Sequence, residues 1–329
     1  MNLKKSRLFS DRMTNLNLKT NHRHFLDLAA LSPKDVRYII EKAKVLKIIA
    51  KEKKQSKGFI HSDMPLKDQA LAMIFEKPST RTRISFEMAM HQLGGKTLIL
   101  QDHDMQISRG ESISDTAQVL SCFIDAIMMR TNNHDNLLEM AKKSQVPIIN
   151  ALTNFSHPCQ VMADVLTFEE YLGPITGKKI AWSGDCTNVA VSWIHAAVLF
   201  DCELAIGCHR DYSPLKQVID WAKNNNGKIT ITENPIEAVK GADCVITDTF
   251  ISMGDKDVNK RLKDLSPYQV NENLMKNAKS SAIFLHCLPA HRGEEVTENI
   301  IDGPQSVVWD EAENRLHIQK AILLWCFGK

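Results

Sequence analysis

Five consecutive residues each have a side chain that can donate hydrogen bonds: Ser79, Thr80, Arg81, Thr82 and Arg83. An apolar, strand-like run at 71–75 precedes them, and a run with helical spacing follows. Free N–H groups at the start of a helix, with hydroxyls and a guanidinium fork, match the oxygens of a tetrahedral phosphate. Alternatively, Ser79 or Thr80 only caps the helix and both arginines are solvated. The pattern favours a phosphate site, and the absence of a G-x-x-x-x-G-K-S/T motif disfavours a nucleoside triphosphate.

A second set of polar residues could hold and polarise a carbonyl group. Arg130 ends the apolar run 126–129, and the carboxyl ends of parallel strands line binding crevices. His157 and Gln160 have the spacing of one helical face. A guanidinium and an imidazole N–H aimed at a carbonyl oxygen would stabilise the oxyanion that forms when a nucleophile attacks. Taken singly, His157 is typical of a helix start before a proline and Arg130 of a solvated side chain, but together they favour a site.

Two further candidates, Asp248 and Cys287, each follow an apolar run in the second half of the chain. A carboxylate in a crevice attracts an ammonium group and repels a second carboxylate, a contrast of about 4 kcal/mol at about 4 Å and an effective dielectric of roughly 20. Asp248 therefore favours a cationic substrate, one that carries an ammonium group. Asn188 could hydrogen-bond an amino acid, and backbone amides near Ser252 and Met253 could take its carboxylate. The alternatives are a small core cysteine and a flexible loop.

From about residue 27, short apolar runs alternate with longer amphipathic stretches, the pattern of parallel strands joined by crossover helices. The pattern predicts strands at 71–75, 97–100, 126–129, 147–150, 179–182, 203–206, 228–231, 244–247 and 283–285. It predicts helices at about 33–49, 81–93, 113–123, 134–144, 158–171 and 311–325. We therefore predict an α/β fold of two similar domains, each a mainly parallel sheet flanked by helices, with the active site between the domains.

The length of 329 residues agrees with this, because one hydrophobic core rarely organises more than about 250 residues. We place a first domain at 25–157 and a second at 158–310, and expect the C-terminal helix, about 311–329, to pack back on the first. Residues 1–24 carry six basic residues and one acid. They are predicted to be a flexible basic extension, and a transit-like segment is the alternative.

Composition excludes several classes of protein. Lys and Arg total 41 against 39 Asp and Glu, far from the basic excess of a phosphate-backbone binder, so no nucleic-acid partner is expected. The longest strongly apolar stretch, 321–327, is much shorter than the about 20 residues that span a bilayer, so no membrane partner is expected. Eight cysteines lack any C-x-x-C pair, which predicts neither a metal site nor a disulfide framework and fits a reducing cytoplasm.

The run Ser-Thr-Arg-Thr-Arg at 79–83, continued by x-Ser-Phe-Glu, resembles the carbamoyl-phosphate motif of the aspartate/ornithine transcarbamoylase family. The resemblance extends over nearly the whole chain from residue 25. Further motifs follow in the family's order: Gln106 with 109–112, Arg130, His-Pro-Cys-Gln at 157–160, Gly-Asp at 184–185 with Asn188, 248–254, His-Cys-Leu-Pro at 286–289 and 311–315. Any one of these motifs alone is weak, but in this order they indicate the ornithine branch of the family.

The resemblance implies a carbamoyl transfer from carbamoyl phosphate to L-ornithine, with neither cofactor nor metal. It implies carbamoyl-phosphate binding by Ser79, Thr80, Arg81, Thr82, Gln106, Arg130, His157, Gln160, Cys287, Leu288 and Arg315, with catalysis by Arg130, His157 and Cys287. It implies ornithine binding by Asn188, Asp248, Ser252 and Met253. Cys287 would then be a partner for the attacking amine rather than a covalent nucleophile. A homotrimer is also implied, in which the segment 102–112 reaches the neighbouring subunit's site.

One departure from the family pattern lies in the turn Gly-Asp-Cys-Thr-Asn at 184–188, where many relatives have Gly-Asp-Gly-Asn-Asn. This turn also lacks G-x-G-x-x-G, which disfavours a nicotinamide-dependent oxidoreductase. Two further hypotheses stay open, a non-catalytic binding protein and a transcarbamoylase that acts on aspartate, putrescine or an acylated ornithine. Synthesis and breakdown of arginine would use the same site, and we expect biosynthesis.

Overall fold

The computed structural model describes residues 22–52, 56–251 and 257–329. The chain forms two compact units. The first ends at Met162 and takes in the C-terminal segment Arg315–Lys329, and the second is Ala163–Asn314. Each division falls inside a helix, Pro158–Leu172 and Val308–Cys326. Because no turn residue marks a division inside a helix, these two places leave no local signal in the sequence.

The first unit is built on a sheet of four parallel strands in the order β2-β1-β3-β4. These strands are β1 (Ala70–Phe75), β2 (Lys96–Gln101), β3 (Ala126–Arg130) and β4 (Ile148–Leu152). Its helices are Pro33–Glu52, Arg81–Gln92, Ile113–Ser121 and His134–Lys143, with parts of Pro158–Leu172 and Val308–Cys326. The central strands β1 and β3 are continuous apolar runs and are almost wholly buried, as strands covered on both faces must be.

The second unit is built on five parallel strands in the order β7-β6-β5-β8-β9. They are β5 (Lys179–Ser183), β6 (Glu203–Gly207), β7 (Lys228–Thr232), β8 (Cys244–Thr247) and β9 (Ile283–His286). The helices are Asn188–Leu199, Lys216–Asn224, Pro235–Val239, Val258–Leu265, Glu272–Met275 and Glu298–Ile301. The predicted fold class is therefore confirmed.

Each sheet has a place where the strand order reverses, between β1 and β3 in the first unit and between β5 and β8 in the second. Ligands of open parallel sheets bind beyond the carboxyl ends of the strands at such switch points. The register aligns these ends, since Phe75 pairs with Arg130 and Thr247 pairs with His286. The predicted site residues follow these same strand ends.

The last helix corrects one prediction, because it begins at Val308 and not near Glu311. Val307 and Val308 are buried β-branched residues, a pair equally typical of a strand, which hides the true start. The polar segment 102–112 contains two short helices, Asp102–Asp104 and Gln106–Arg109. Over the part of the chain that the structure describes, no helix is both long and apolar enough to cross a membrane.

Candidate active site

The predicted phosphate corner lies where β1 is followed by the helix Arg81–Gln92. Thr80 occupies the N-cap position, but its side chain makes no capping hydrogen bond. The alternative that the Thr80 hydroxyl only caps the helix is therefore disfavoured. Thr80 and Arg81 are exposed, Ser79 is half-buried and Thr82 is buried. The first turn of the helix adds backbone N–H groups that have no partner within the helix, so the corner offers donors of three kinds to an anion.

Thr82 is the point at which two arginines from distant parts of the sequence converge. Arg130, at the end of β3, donates from Nη1 to the Thr82 hydroxyl at 3.4 Å. Arg315, in the last helix, donates from Nη2 to the same oxygen at 2.8 Å, and its Nη1 donates to Oε1 of Gln160. The structure thus brings together Thr82, Arg130, Gln160 and Arg315, all of which were predicted site residues.

His157 lies beside this cluster, directly before the helix Pro158–Leu172. Its side chain is 5% exposed. Burial lowers its pKa well below the ordinary value, and the positive charges of Arg315, Arg130 and Arg81 lower it further. The imidazole is consequently neutral at physiological pH, with one N–H that can donate and one nitrogen that can accept. A neutral donor beside three guanidiniums is suited to a carbonyl oxygen on a molecule that also carries a dianionic phosphate.

Gln106 and Arg109 lie on the short helix Gln106–Arg109, and both are exposed. Among the described residues of this one chain, no side-chain hydrogen bond joins Gln106 to the cluster around Thr82. Its predicted role toward a neighbouring subunit stays a prediction.

In the second unit, Asp248 follows β8 and Cys287 follows the neighbouring strand β9. The Cys287 thiol donates to Oδ1 of Asp248 at 3.0 Å. Burial raises the pKa of Cys287 well above its ordinary value, and the charge and hydrogen bond of Asp248 act in the same direction. The sulfur therefore keeps its proton, which suits a hydrogen-bonding role and not that of a thiolate nucleophile.

His286 positions the turn that carries Cys287 and Leu288. Its Nδ1 accepts the Leu288 backbone N–H at 2.9 Å, so the ring proton must lie on Nε2. That atom is 3.3 Å from Oε1 of Glu295, and both side chains are fully buried. The backbone N–H of His286 donates to Oε2 of Glu311 at 2.9 Å. Neither Glu295 nor the role of Glu311 was predicted from the sequence, because neither carboxylate is next in the chain to the turn that it supports.

The carboxylate, imidazole and thiol of Asp248, His286 and Cys287 come within 4.8 Å of one another. These are groups of the kinds that bind divalent metals. Each of the three side chains also takes part in one of the hydrogen bonds just described.

Asn188 begins the helix Asn188–Leu199 and is half-buried. The turn before it is held by Asp185, which pairs with Arg261, whose Nη2 also donates to the backbone oxygen of Phe250 at 3.1 Å. Gly184 has φ +129°, and a Cβ there would come within 2.9 Å of the Phe250 ring. Arg261 was not predicted, since it lies in a charged stretch typical of a solvated helix. Ser252 and Met253 lie outside the described residues.

Comparison with known proteins gives matches over both units. Residues 23–170 match the family model described as aspartate/ornithine carbamoyltransferase, carbamoyl-P binding domain, and residues 176–326 match the Asp/Orn binding domain of the same family. An ornithine carbamoyltransferase of Rhodopseudomonas palustris strain BisA53 is 56% identical, over 93% of this chain and 97% of the relative.

Solved structures are also similar. The ornithine carbamoyltransferase of Pyrococcus furiosus has a TM-score of 0.87 at 44% identity and covers 93% of this chain and 97% of its own. The anabolic ornithine carbamoyltransferase of Campylobacter jejuni has a TM-score of 0.85 at 37% identity and covers 93% of this chain and 99% of its own.

Proposed function

The chain belongs to the aspartate/ornithine carbamoyltransferase family and is an enzyme that transfers a carbamoyl group, and from this premise we propose that its acceptor is L-ornithine. Carbamoyl phosphate and L-ornithine then give L-citrulline and phosphate. The observation that carries the choice of acceptor is the Asp248 carboxylate beside the Cys287 thiol, at the adjacent ends of β8 and β9. A carboxylate at this place attracts an ammonium group and repels the second carboxylate of aspartate.

We assign the phosphate of carbamoyl phosphate to the corner formed by Ser79, Thr80, Arg81 and Thr82. The free hydroxyl of Thr80 and the first-turn N–H groups support this assignment, because both can donate to phosphate oxygens. The guanidinium of Arg81 is exposed and can form a charge-assisted pair with the dianion.

We assign the carbamoyl group to Arg130, His157 and Gln160. The neutral N–H of His157 and the guanidinium of Arg130 polarise the carbonyl and stabilise the oxyanion that forms during attack. Gln160 is held by Arg315, and the second lone pair of its Oε1 can accept from the carbamoyl amide. Preorganised donors of this kind cost little reorganisation when the charge develops.

In the reaction, the side-chain amine of ornithine attacks the carbamoyl carbon directly. A C–N bond forms, the C–O bond to phosphate breaks, and the proton that the amine loses leaves with the phosphate. An amine of this type has a pKa of about 10.4, so only about one molecule in a thousand is neutral near pH 7.4. Asp248 and Cys287 orient the neutral amine and stabilise the positive charge that its nitrogen gains during attack, and Asn188, Ser252 and Met253 hold the amino-acid end.

We further propose a homotrimer with shared sites, cytoplasmic location and the biosynthetic direction. Exposed apolar side chains at Val119 and Phe123 support self-association through the first unit. All eight cysteines are free, which suits a reducing compartment. The similarity to an enzyme named as anabolic supports the biosynthetic direction.

One assay tests the proposed function: citrulline or its analogue is measured from carbamoyl phosphate with ornithine, aspartate, putrescine and acetylornithine in parallel. We expect turnover with ornithine to exceed that with each other acceptor by at least about a hundredfold in kcat/KM, the ratio that about 2.7 kcal/mol of discrimination gives. Comparable or higher turnover with any of the other three would contradict the assignment of ornithine.

A further inference from the structure

The loop that follows the turn after β9 gathers one histidine and two glutamates, His291, Glu294 and Glu295. One nitrogen or oxygen of each side chain lies within 4.8 Å of the corresponding atoms of the other two. Nδ1 of His291 is 3.7 Å from Oε2 of Glu294 and 3.9 Å from Oε2 of Glu295. None of the three side chains is assigned to a substrate in the function proposed above.

Glu295 is the buried member of this set, and one oxygen of its carboxylate accepts no hydrogen bond. Its side chain is 0% exposed. Oε1 accepts the backbone N–H of His291 and lies 3.3 Å from Nε2 of His286. Oε2 is also buried, and none of the residues that the structure describes donates a hydrogen bond to it. A buried carboxylate oxygen without a donor is costly, so its position opposite the His291 ring favours a cation there.

The negative charge of the two glutamates is not balanced by a lysine or an arginine. Arg292 lies within the loop, but its guanidinium pairs with Asp302, where Nη2 donates to Oδ1 at 2.9 Å. Across the described ranges of the chain, the ion-pair partners of Glu294 and Glu295 are histidines alone. One of these, His286, accepts a backbone N–H at Nδ1 and is therefore uncharged. Two carboxylates are thus left to attract a cation.

A second set of similar composition in this unit differs in one respect. His209, Asp211 and Asp264 also place ligand atoms within 4.8 Å of one another. There, the Lys260 ammonium donates to Oδ2 of Asp211 at 3.2 Å and to Oδ2 of Asp264 at 2.8 Å. The lysine thereby takes the place that a metal ion would have. We therefore expect the two sets to differ in metal binding.

We propose that Nδ1 of His291, a carboxylate oxygen of Glu294 and Oε2 of Glu295 form a site for a divalent transition metal such as Zn²⁺. Zinc binds imidazole nitrogen and carboxylate oxygen at about 2.0–2.2 Å, so two ligands in tetrahedral geometry are roughly 3.4 Å apart. The separations of 3.7 and 3.9 Å are close to this value. Three protein ligands leave the fourth position to water. The set contains no cysteine, so the spacing of the cysteines did not predict it.

The ion can reach this site from solvent. The side chains of His291 and Glu294 are 47% and 40% exposed, and Glu295 lies beneath them. The backbone holds the two exposed ligands on one turn, because the N–H of Glu294 donates to the oxygen of His291 at 2.9 Å. Only small rotations of surface side chains are then needed for the three ligands to close on one ion.

Equilibrium dialysis of the full-length protein against Zn²⁺, with metal analysis, tests the proposal. The set around Cys287 also offers zinc ligands, so the variants are made in Cys287→Ser, which lacks that thiol. We expect this parent to hold about one Zn²⁺ per chain. His291→Ala and Glu294→Gln should each weaken the affinity at least about a hundredfold, because loss of even an outer-shell partner costs about 10- to 100-fold. His209→Ala, from the set that Lys260 neutralises, is the matched control and should bind zinc as the parent does.

Thermal unfolding separates loss of the site from loss of the fold. Without zinc, His291→Ala and Glu294→Gln should unfold at the temperature of the parent, since both residues are half-exposed. Zinc should raise the unfolding temperature of the parent and of His209→Ala, but not that of His291→Ala. Equal zinc affinity of the parent and His291→Ala would overturn the proposal, and so would a folded parent that binds no zinc.

If Cys287→Ser does not fold, Co²⁺ bound to the otherwise wild-type chain replaces it as the probe. A site of nitrogen and oxygen ligands gives a cobalt spectrum without the sulfur-to-metal charge-transfer absorption of a thiolate site. We expect such a spectrum, and its loss in His291→Ala. Cobalt bound through sulfur alone would overturn the proposal. None of these measurements uses the formation of citrulline, so their outcome is independent of the proposed function.

Discussion

In the proposed carbamoyl-phosphate site, two guanidiniums converge on the single hydroxyl of Thr82. Its oxygen accepts from Arg130 at 3.4 Å and from Arg315 at 2.8 Å, which fixes two guanidiniums that would otherwise repel each other. The hydroxyl hydrogen of Thr82 can still donate to a further acceptor. Because both arginines are oriented before a ligand arrives, little of the binding free energy is lost to ordering long side chains.

Replacement of Arg81 tests the proposed phosphate site. We expect Arg81→Ala to raise the KM for carbamoyl phosphate and to lower kcat by two or more powers of ten, since a charge-assisted contact that strengthens in the transition state contributes about 3 kcal/mol or more. The residue is exposed at the polar start of its helix, so the fold should survive. Initial rates over a range of carbamoyl phosphate concentrations measure this. Arg37→Ala, in the first helix, is the matched control, and near-normal turnover of Arg81→Ala at low carbamoyl phosphate would refute the phosphate assignment.

Among the elements, the turn after β9 adjoins the buried side chains of His286 and Glu295. Glu295→Ala removes the carboxylate whose Oε1 lies 3.3 Å from Nε2 of His286 and accepts the backbone N–H of His291. The His286 ring, which accepts the Leu288 N–H, then loses its buried neighbour. We expect a loss of about 2–4 kcal/mol in the free energy of unfolding, as for other broken buried polar networks, and a fall in kcat. Urea titration and initial rates measure the two effects. Glu294→Ala, whose side chain is 40% exposed, should change neither, and equal behaviour of the two variants would show that the pair does not support the turn.

The elements themselves were largely predictable from the sequence. A central parallel strand such as β3 is a continuous apolar run, which leaves a strong local signal. The end of each strand then located Arg130, Asp248 and Cys287. What the sequence could not reveal are the contacts that depend on three dimensions. The meeting of Arg130 and Arg315 at Thr82, and the pairing of His286 with Glu295, join residues that no spacing rule connects.

At the scale of the whole molecule, buried histidines make stability depend on pH. Burial lowers the pKa of His24 to about 4 and that of His317 to about 2, and it lowers the pKa of His157 well below its ordinary value. Below about pH 6.5 the unfolded chain binds protons at these positions and the folded chain does not, so stability falls as the pH falls. Each such histidine contributes up to about 1.4 kcal/mol per pH unit.

Urea titrations between pH 7.5 and 5.5 check this. His157→Gln should reduce the slope of the free energy of unfolding against pH by up to about 1.4 kcal/mol per pH unit, the contribution of one proton. The slope is the readout, because the substitution also changes stability at every pH. A variant with the full wild-type slope would show that His157 is protonated in the fold.

The proposed homotrimer with shared sites gives a further expectation for the assembly. Arg81→Ala and Gln106→Ala should each be inactive alone, but mixed chains that are dissociated and reassociated should recover part of the activity. Recovery follows because some sites in a hybrid then combine the intact residues of two subunits. Activity of the hybrids, verified by mass spectrometry, measures this, and hybrids without any recovered activity would count against shared sites.

The effect of Asp248→Asn on the use of ornithine tests the assignment of the acceptor most directly. The substitution keeps the shape of the side chain and removes the charge that we propose attracts the acceptor. We predict a fall in kcat/KM for ornithine of about a thousandfold, the equivalent of about 4 kcal/mol, with a reduced preference for cationic over anionic acceptors. Carbamoyl phosphate should still raise the unfolding temperature of the variant, since the proposed phosphate corner at 79–82 lies in the first unit. If ornithine saturates Asp248→Asn at the same concentrations as the wild type, with the same kcat, then Asp248 does not recognise the acceptor, and the proposed choice of ornithine by its charge is wrong.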